Sequence, residues 1–275
     1  MPVGFARFRQ HVKTDFPSFG IPGNHRMKQI ITLFLLLVVV GCASKRDAQF
    51  GKNDPAAYHY QMGLSYLGER NYTSALVEFT EAEKVDPDNP ELLYNLGMAY
   101  IGKRRPDLAE KPLLKAIMLK PNNSVARNDL GVAYLELKQW DNAIQQFKIV
   151  KDDIFYANSE NATINLGLAY LGKGDYPKAL EELRAVAVAN PGNPITRLSL
   201  GRVYFAMDRT EQAIVEYKKA IAIYAEFGAA HFHLGLAYLK LDNVAAAKAS
   251  FNEVLRILPD TDMARSAQGY LELLK

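Results

Sequence analysis

Cysteine, tryptophan and histidine are scarce in this chain: one, one and five among 275 residues. The lone cysteine, Cys42, excludes an intramolecular disulfide, so the fold must be held by its apolar core. Beyond residue 41 only His59, His231 and His233 remain. The last two stand two apart on an expected helix and point about 200° away from each other, which rules out a metal pair on one face. No glycine-rich phosphate loop and no zinc-protease helix motif occurs, so no catalysis, metal, cofactor or small-molecule substrate is expected. A strong charge of one sign is missing too. The formal charge of +3 comes from the N-terminus, where Arg7, Arg9, Lys13, Arg26 and Lys28 face only Asp15, and the chain from Cys42 onward stands at −1. Nucleic-acid binding loses its electrostatic basis.

The one long apolar run is Ile30 to Val40, well short of the roughly 20 residues a spanning helix needs. It follows Met27-Lys28 and ends in Val39-Val40-Gly41-Cys42, the layout of an export signal. That ending resembles the bacterial lipobox. The resemblance implies that residues 27–41 are a cleaved signal peptide and that Cys42 carries diacylglycerol and a further acyl chain. Two or more chains anchor stably, at about 0.8 kcal/mol per buried CH₂. Ala43, where an aspartate would favour inner-membrane retention, implies sorting to the periplasmic face of the outer membrane. Residues 1–26 show no helical or strand period and are read as an over-extended N-terminus, with Met27 as the true start. Residues 42–55 are read as a polar, lipidated tether.

The rest of the chain, residues 56–275, is periodic. Gly63, Gly97, Gly131, Gly167, Gly201 and Gly235 recur every 34 residues, except for one gap of 36. Three residues after each comes a tyrosine (Tyr66 to Tyr238), and twelve after each an alanine (Ala75 to Ala247). A bulky apolar residue follows four further on: Phe79, Leu113, Phe147, Leu183, Tyr217, Phe251. Such a period marks a stack of helical hairpins, with small residues where two helices press together. This pattern resembles the tetratricopeptide repeat. The implied fold is all-α: a right-handed superhelical solenoid of six helix-turn-helix repeats (56–89, 90–123, 124–159, 160–193, 194–227, 228–261). Residues 262–275 supply a capping helix, with Met263, Ala267, Tyr270 and Leu274 at helical spacing. Repeat three is two residues longer than the others and has Asp152 to Asn158 where a proline turn is expected, so altered curvature is expected at that join.

In this family the first helices line a concave surface, and positions 2, 5, 9 and 12 of each repeat share one helical stripe. The candidate peptide groove comprises Tyr60 and Leu64, Tyr94 with Asn95 and Met98, Asn128 and Val132, Ile164 and Leu168, Leu198 and Arg202, and Phe232 and Leu236. Position 12 (Leu67 to Leu239) reads equally well as helix packing. Asn95 and Asn165 read as interhelix hydrogen-bonders, and Trp140 as turn packing. Arg127, Arg197 and Arg202 read as a solvated face. The family's polar clamp for a peptide carboxylate needs lysine and asparagine where Tyr60 and Leu64 stand, so capture of a chaperone-type acidic tail is not expected. A mostly apolar groove suits an amphipathic helix or an extended apolar peptide.

Lipobox, tether and six repeats together resemble the type IV pilus biogenesis lipoproteins, which include the pilotins of the secretin pore. That resemblance implies a lipid-anchored protein that binds secretin subunits and assists their assembly. The alternative is a general envelope adaptor that scaffolds cell-wall enzymes, outer-membrane assembly or polysaccharide export.

Overall fold

The computed structural model describes residues 54–274. The signal segment, Cys42 and the tether up to residue 53 lie outside the described residues. Thirteen helices and no strands occur among the described residues. They pair as α1 (Pro55–Gly68) with α2 (Tyr72–Val85), α3 (Pro90–Gly102) with α4 (Pro106–Leu119), and α5 (Ser124–Glu136) with α6 (Trp140–Lys151). Then come α7 (Ser159–Lys173) with α8 (Tyr176–Ala189), α9 (Pro194–Ala206) with α10 (Thr210–Ile223), α11 (Gly228–Lys240) with α12 (Val244–Ile257), and last α13 (Asp262–Leu273).

Helix starts follow from local chemistry. Asp54, Asn89 and Asn193 each accept a hydrogen bond from a backbone N–H of the first turn, and proline fills the next position. Helix ends are set by a device that composition hides. Every first helix is followed by a residue with positive φ: Arg70, Arg104, Lys138, Gly174, Asp208 and Asp242, between 56° and 84°. The N–H of the next residue donates to the carbonyl of the repeated tyrosine, for example Gln139 to Tyr134 at 2.8 Å and Asp175 to Tyr170 at 2.9 Å. This closes each helix as a Schellman motif, in which one left-handed residue satisfies the last free carbonyls. Only one of the six is glycine, so the turn cannot be read from glycine placement.

The glycine of each repeat is explained by its partner sixteen residues on. A Cβ at Gly131 would lie 2.6 Å from the Phe147 ring, and one at Gly201 would lie 2.3 Å from the Tyr217 ring. All six repeated alanines are fully buried beside them, as are Phe79, Leu113, Phe147, Leu183, Tyr217 and Phe251. Aromatic residues that open the second helices reach the next repeat rather than their own turn. Tyr72 covers Gly102, and Trp140 covers Gly172. Tyrosines bond across the same seams. Tyr134 donates to Glu110 at 3.1 Å, and Arg184 donates to the Tyr204 hydroxyl at 2.9 Å.

Neighbour relations fix which side is the inside. Each first helix packs against the first helix of the next repeat, whereas no second helix packs directly against another second helix among the described residues. The second helices are spaced widely enough that long side chains span them, as in Lys151 Nζ to Glu182 Oε2 at 2.7 Å. The first helices therefore form the inner surface. At the end of the stack α13 covers the last hairpin, with Ala267 fully buried and the Tyr270 ring stacked 5.1 Å from Phe251. The longer join after α6 is a turn over Asp152–Asn158 in which Asp153 accepts from Ser124 and from the Phe155 N–H. It leaves Ile154 and Phe155 almost fully exposed, while α5 and α7 remain in contact.

Candidate peptide groove

Among the candidate residues, the ninth-position set is the most uniform. Leu64, Met98, Val132, Leu168, Arg202 and Leu236 are all partly exposed on the first helices. The twelfth-position residues Leu67, Ile101, Leu135, Leu171, Phe205 and Leu239 are partly exposed as well, so they flank the same open face. Position 5 divides. Tyr60, Tyr94, Asn128 and Phe232 keep some exposure, but Ile164 and Leu198 are only 2% and 8% exposed and belong to the central core. The two residues are therefore removed from the groove set. Their apolar side chains are covered in the central core, and helical periodicity does not reveal that depth. The stripe gains instead Val125 and Ile195 at position 2, exposed by 46% and 48%.

Polar groups on this face fall into two sets. Toward the N-terminal end, Asn95 Nδ2 donates to the Tyr60 hydroxyl at 3.1 Å and to the Glu91 carbonyl at 2.8 Å. The asparagine before the glycine thus ties repeat two to repeat one. Tyr94 donates to Asp129 Oδ2 at 2.9 Å, and Asn128 Nδ2 donates to Asp129 Oδ1 at 3.1 Å. Burial pushes the Asp129 carboxyl above its ordinary range, with the two hydrogen bonds opposing. Burial and the adjoining Asp129 raise the Tyr94 phenol strongly. The Asn128 Oδ1 is buried with no partner among the described residues.

The three arginines separate. Arg127 donates to the Pro121 carbonyl and to Gln146, and Arg197 pairs with Glu216 at 3.4 Å. These two are structural ties. Arg202 is partly buried beside Tyr217 and His233, and desolvation lowers its pKa. His233 stacks on Tyr217 at 5.8 Å and is pushed down to about 4, first by burial and then by the Arg202 charge. His231 turns away and makes a 2.9 Å contact with the Ala225 carbonyl. Phe232 completes this end with edge contacts to Phe251 and Tyr270. The face as a whole offers apolar contact along its length and a cation, Arg202, in the fifth repeat.

Family models described as tetratricopeptide or TPR repeats match residues 60–124, 170–216, 201–242 and 228–261. DnaJ homolog subfamily C member 3 of Rattus norvegicus is 28% identical over 136 residues, which is 47% of this chain and 27% of that protein. The chain thus spans about a quarter of the length of that relative. Among solved structures, PilF of Pseudomonas aeruginosa matches with a TM-score of 0.59 at 20% identity, covering 80% of this chain and 99% of the other. PilW, described as a widely conserved type IV pilus biogenesis factor, matches with a TM-score of 0.66 at 19% identity, covering 78% and 98%. A tetratricopeptide repeat protein from Parabacteroides merdae reaches a TM-score of 0.70 at 16% identity, covering 90% and 98%. At these identities the likeness is one of fold. Repeat period, buried glycine contacts, inner stripe and family models agree, and the chain belongs to the tetratricopeptide-repeat proteins.

Proposed function

We propose that this protein is a lipid-anchored scaffold on the periplasmic face of the outer membrane. In this reading it assists secretin assembly in type IV pilus biogenesis by holding an apolar, helical segment of a secretin subunit on its inner surface. The observation that carries the binding part is the partly exposed stripe of Leu64, Met98, Val132, Leu168 and Leu236, repeated at one register down the first helices. Apolar residues on a solvent-facing stripe at helical spacing are what an amphipathic segment docks against. The likeness to PilF and PilW, which extends over 80% and 78% of this chain and over 99% and 98% of theirs, supports the pilus part. The lipobox ending at Cys42 supports the anchor.

Photoreactive residues at Tyr94 and Leu168, followed by identification of the adduct in cells, test the partner. A secretin adduct is the expected result. Peptidoglycan enzymes in its place would remove the pilus reading and leave a general envelope adaptor. For the anchor, Cys42→Ser is expected to leave the fold intact and release the protein from the outer-membrane fraction. Continued fractionation with the membrane would refute it.

A further inference from the structure

The ninth position is apolar in five repeats and cationic in one. Where the others carry Leu64, Met98, Val132, Leu168 and Leu236, the fifth carries Arg202. This side chain is mostly removed from solvent, and no carboxylate lies within ion-pair distance of it among the described residues. Arg197, more than one turn earlier on the same helix, has Glu216 as its partner. A guanidinium in an apolar setting without a counter-charge is costly, since the donors that leave water gain nothing in return.

A second observation points at the same place. Tyr217 fills the bulky site under Gly201 and is fully buried, yet its hydroxyl has no hydrogen-bond partner among the described residues. Phenylalanine serves at three of the equivalent sites and leucine at two, so packing does not require that oxygen. The neutral His233 ring stacks on the same tyrosine, and no acidic group faces the cluster within bonding distance. Arg202 and the buried Tyr217 hydroxyl therefore lie near each other between repeats five and six without an acceptor among the described residues.

We propose that Arg202, helped by the Tyr217 hydroxyl, binds the carboxylate of an aspartate or glutamate side chain carried by the apolar segment in the groove. The guanidinium edge presents two parallel N–H donors that match the two carboxylate oxygens, and the neighbouring phenol is a further donor left without a partner among the described residues. One cation balances one carboxylate charge, whereas a phosphate would bring about two at neutral pH. The site lies at the opposite end of the stack from the position of the family's peptide-tail clamp. It fixes the register and direction of a segment that apolar contacts alone would let slide. The proposal rests on the reading that the inner surface receives a partner segment, and its test separates the two.

Arginine Nε resonances of the purified full chain are followed during titration with sodium acetate, with acetamide and sodium chloride as controls. Arg202, assigned from its loss in Arg202→Gln, is expected to shift saturably with acetate alone. Two amphipathic probe peptides that differ only by Glu or Gln on the apolar face, both amidated, are then compared. The Glu peptide is expected to bind at least tenfold tighter, with the advantage falling below twofold in Arg202→Gln and diminished in Tyr217→Phe. No acetate shift at Arg202, displacement of acetate by inorganic phosphate at equal concentration, or equal binding of the two peptides would each overturn the carboxylate site. An acetate shift with no binding of either peptide would support the site and refute the groove reading instead.

Discussion

The contact between Gly131 and Phe147 yields a prediction in which one substitution changes sign with its background. In the native chain a methyl at position 131 would sit 2.6 Å from the Phe147 ring, inside the distance that carbon atoms tolerate. Relief requires the ring to leave a site where it is fully buried, and overpacking of this kind costs about 1–3 kcal/mol. Against this stands the helix preference for alanine over glycine, about 1 kcal/mol in the interior of α5. Gly131→Ala should therefore destabilise by about 1 kcal/mol. Phe147→Ala alone should cost about 3–5 kcal/mol, because it removes a buried ring. With the ring gone the methyl has room, and adding Gly131→Ala to Phe147→Ala should restore about 1 kcal/mol. The coupling between the sites is then about 2 kcal/mol, in the range expected for residues in contact. Urea unfolding followed by far-ultraviolet circular dichroism measures all four variants. A stabilising Gly131→Ala in the presence of Phe147 would refute the claim that close approach is what places the glycine.

Three further outcomes are expected. His233 has a folded-state pKa of about 4, below the ordinary 6.5, so the native state resists protonation that the unfolded chain accepts. Its contribution is complete above pH 6.5 and is lost as pH falls from there toward 4, by about 3 kcal/mol in all; melting curves of His233→Gln should show a correspondingly flatter pH dependence. Lys138 is exposed at φ 57°, where a side chain is strained, so Lys138→Gly should raise stability by about 0.5–1 kcal/mol in chemical denaturation. Trp140 covers Gly172 of the next repeat, is partly exposed and is the single tryptophan, so Trp140→Ala should cost less than the about 3–5 kcal/mol of a fully buried ring. In the native protein its fluorescence should report unfolding of the third seam, and a red-shifted emission before any urea is added would contradict that packing.

The architecture was legible because the repeat writes the same contact six times. Glycine, tyrosine, alanine and the bulky residue at fixed offsets can serve only one packing scheme, and the structure places them in it. The groove was legible in part. Spacing puts Ile164 and Leu168 on one stripe, but their depth depends on how closely the next first helix approaches, and Ile164 is covered where Leu168 is not. Trp140 was readable as a packing residue, yet its partner lies thirty-two residues on, in another hairpin. The left-handed turn residues were hidden because five of the six are Arg, Lys or Asp. Arg202 looked like one of three equivalent arginines, and only the positions of Glu216 and Gln146 distinguish it from Arg197 and Arg127.

The asymmetry between inner and outer helices has a mechanical consequence. A stack that bends does so about the line where its parts are in firmest contact, and here that line runs through the touching first helices. Flexing changes the spacing of the second helices most and that of the first helices least. The inner surface then behaves as a ruler with marks one repeat apart, while the outer surface behaves as the leaves of a fan. A ligand that needs fixed spacing is served by the ruler, and a rigid body seated on the fan would have to hold it at one opening.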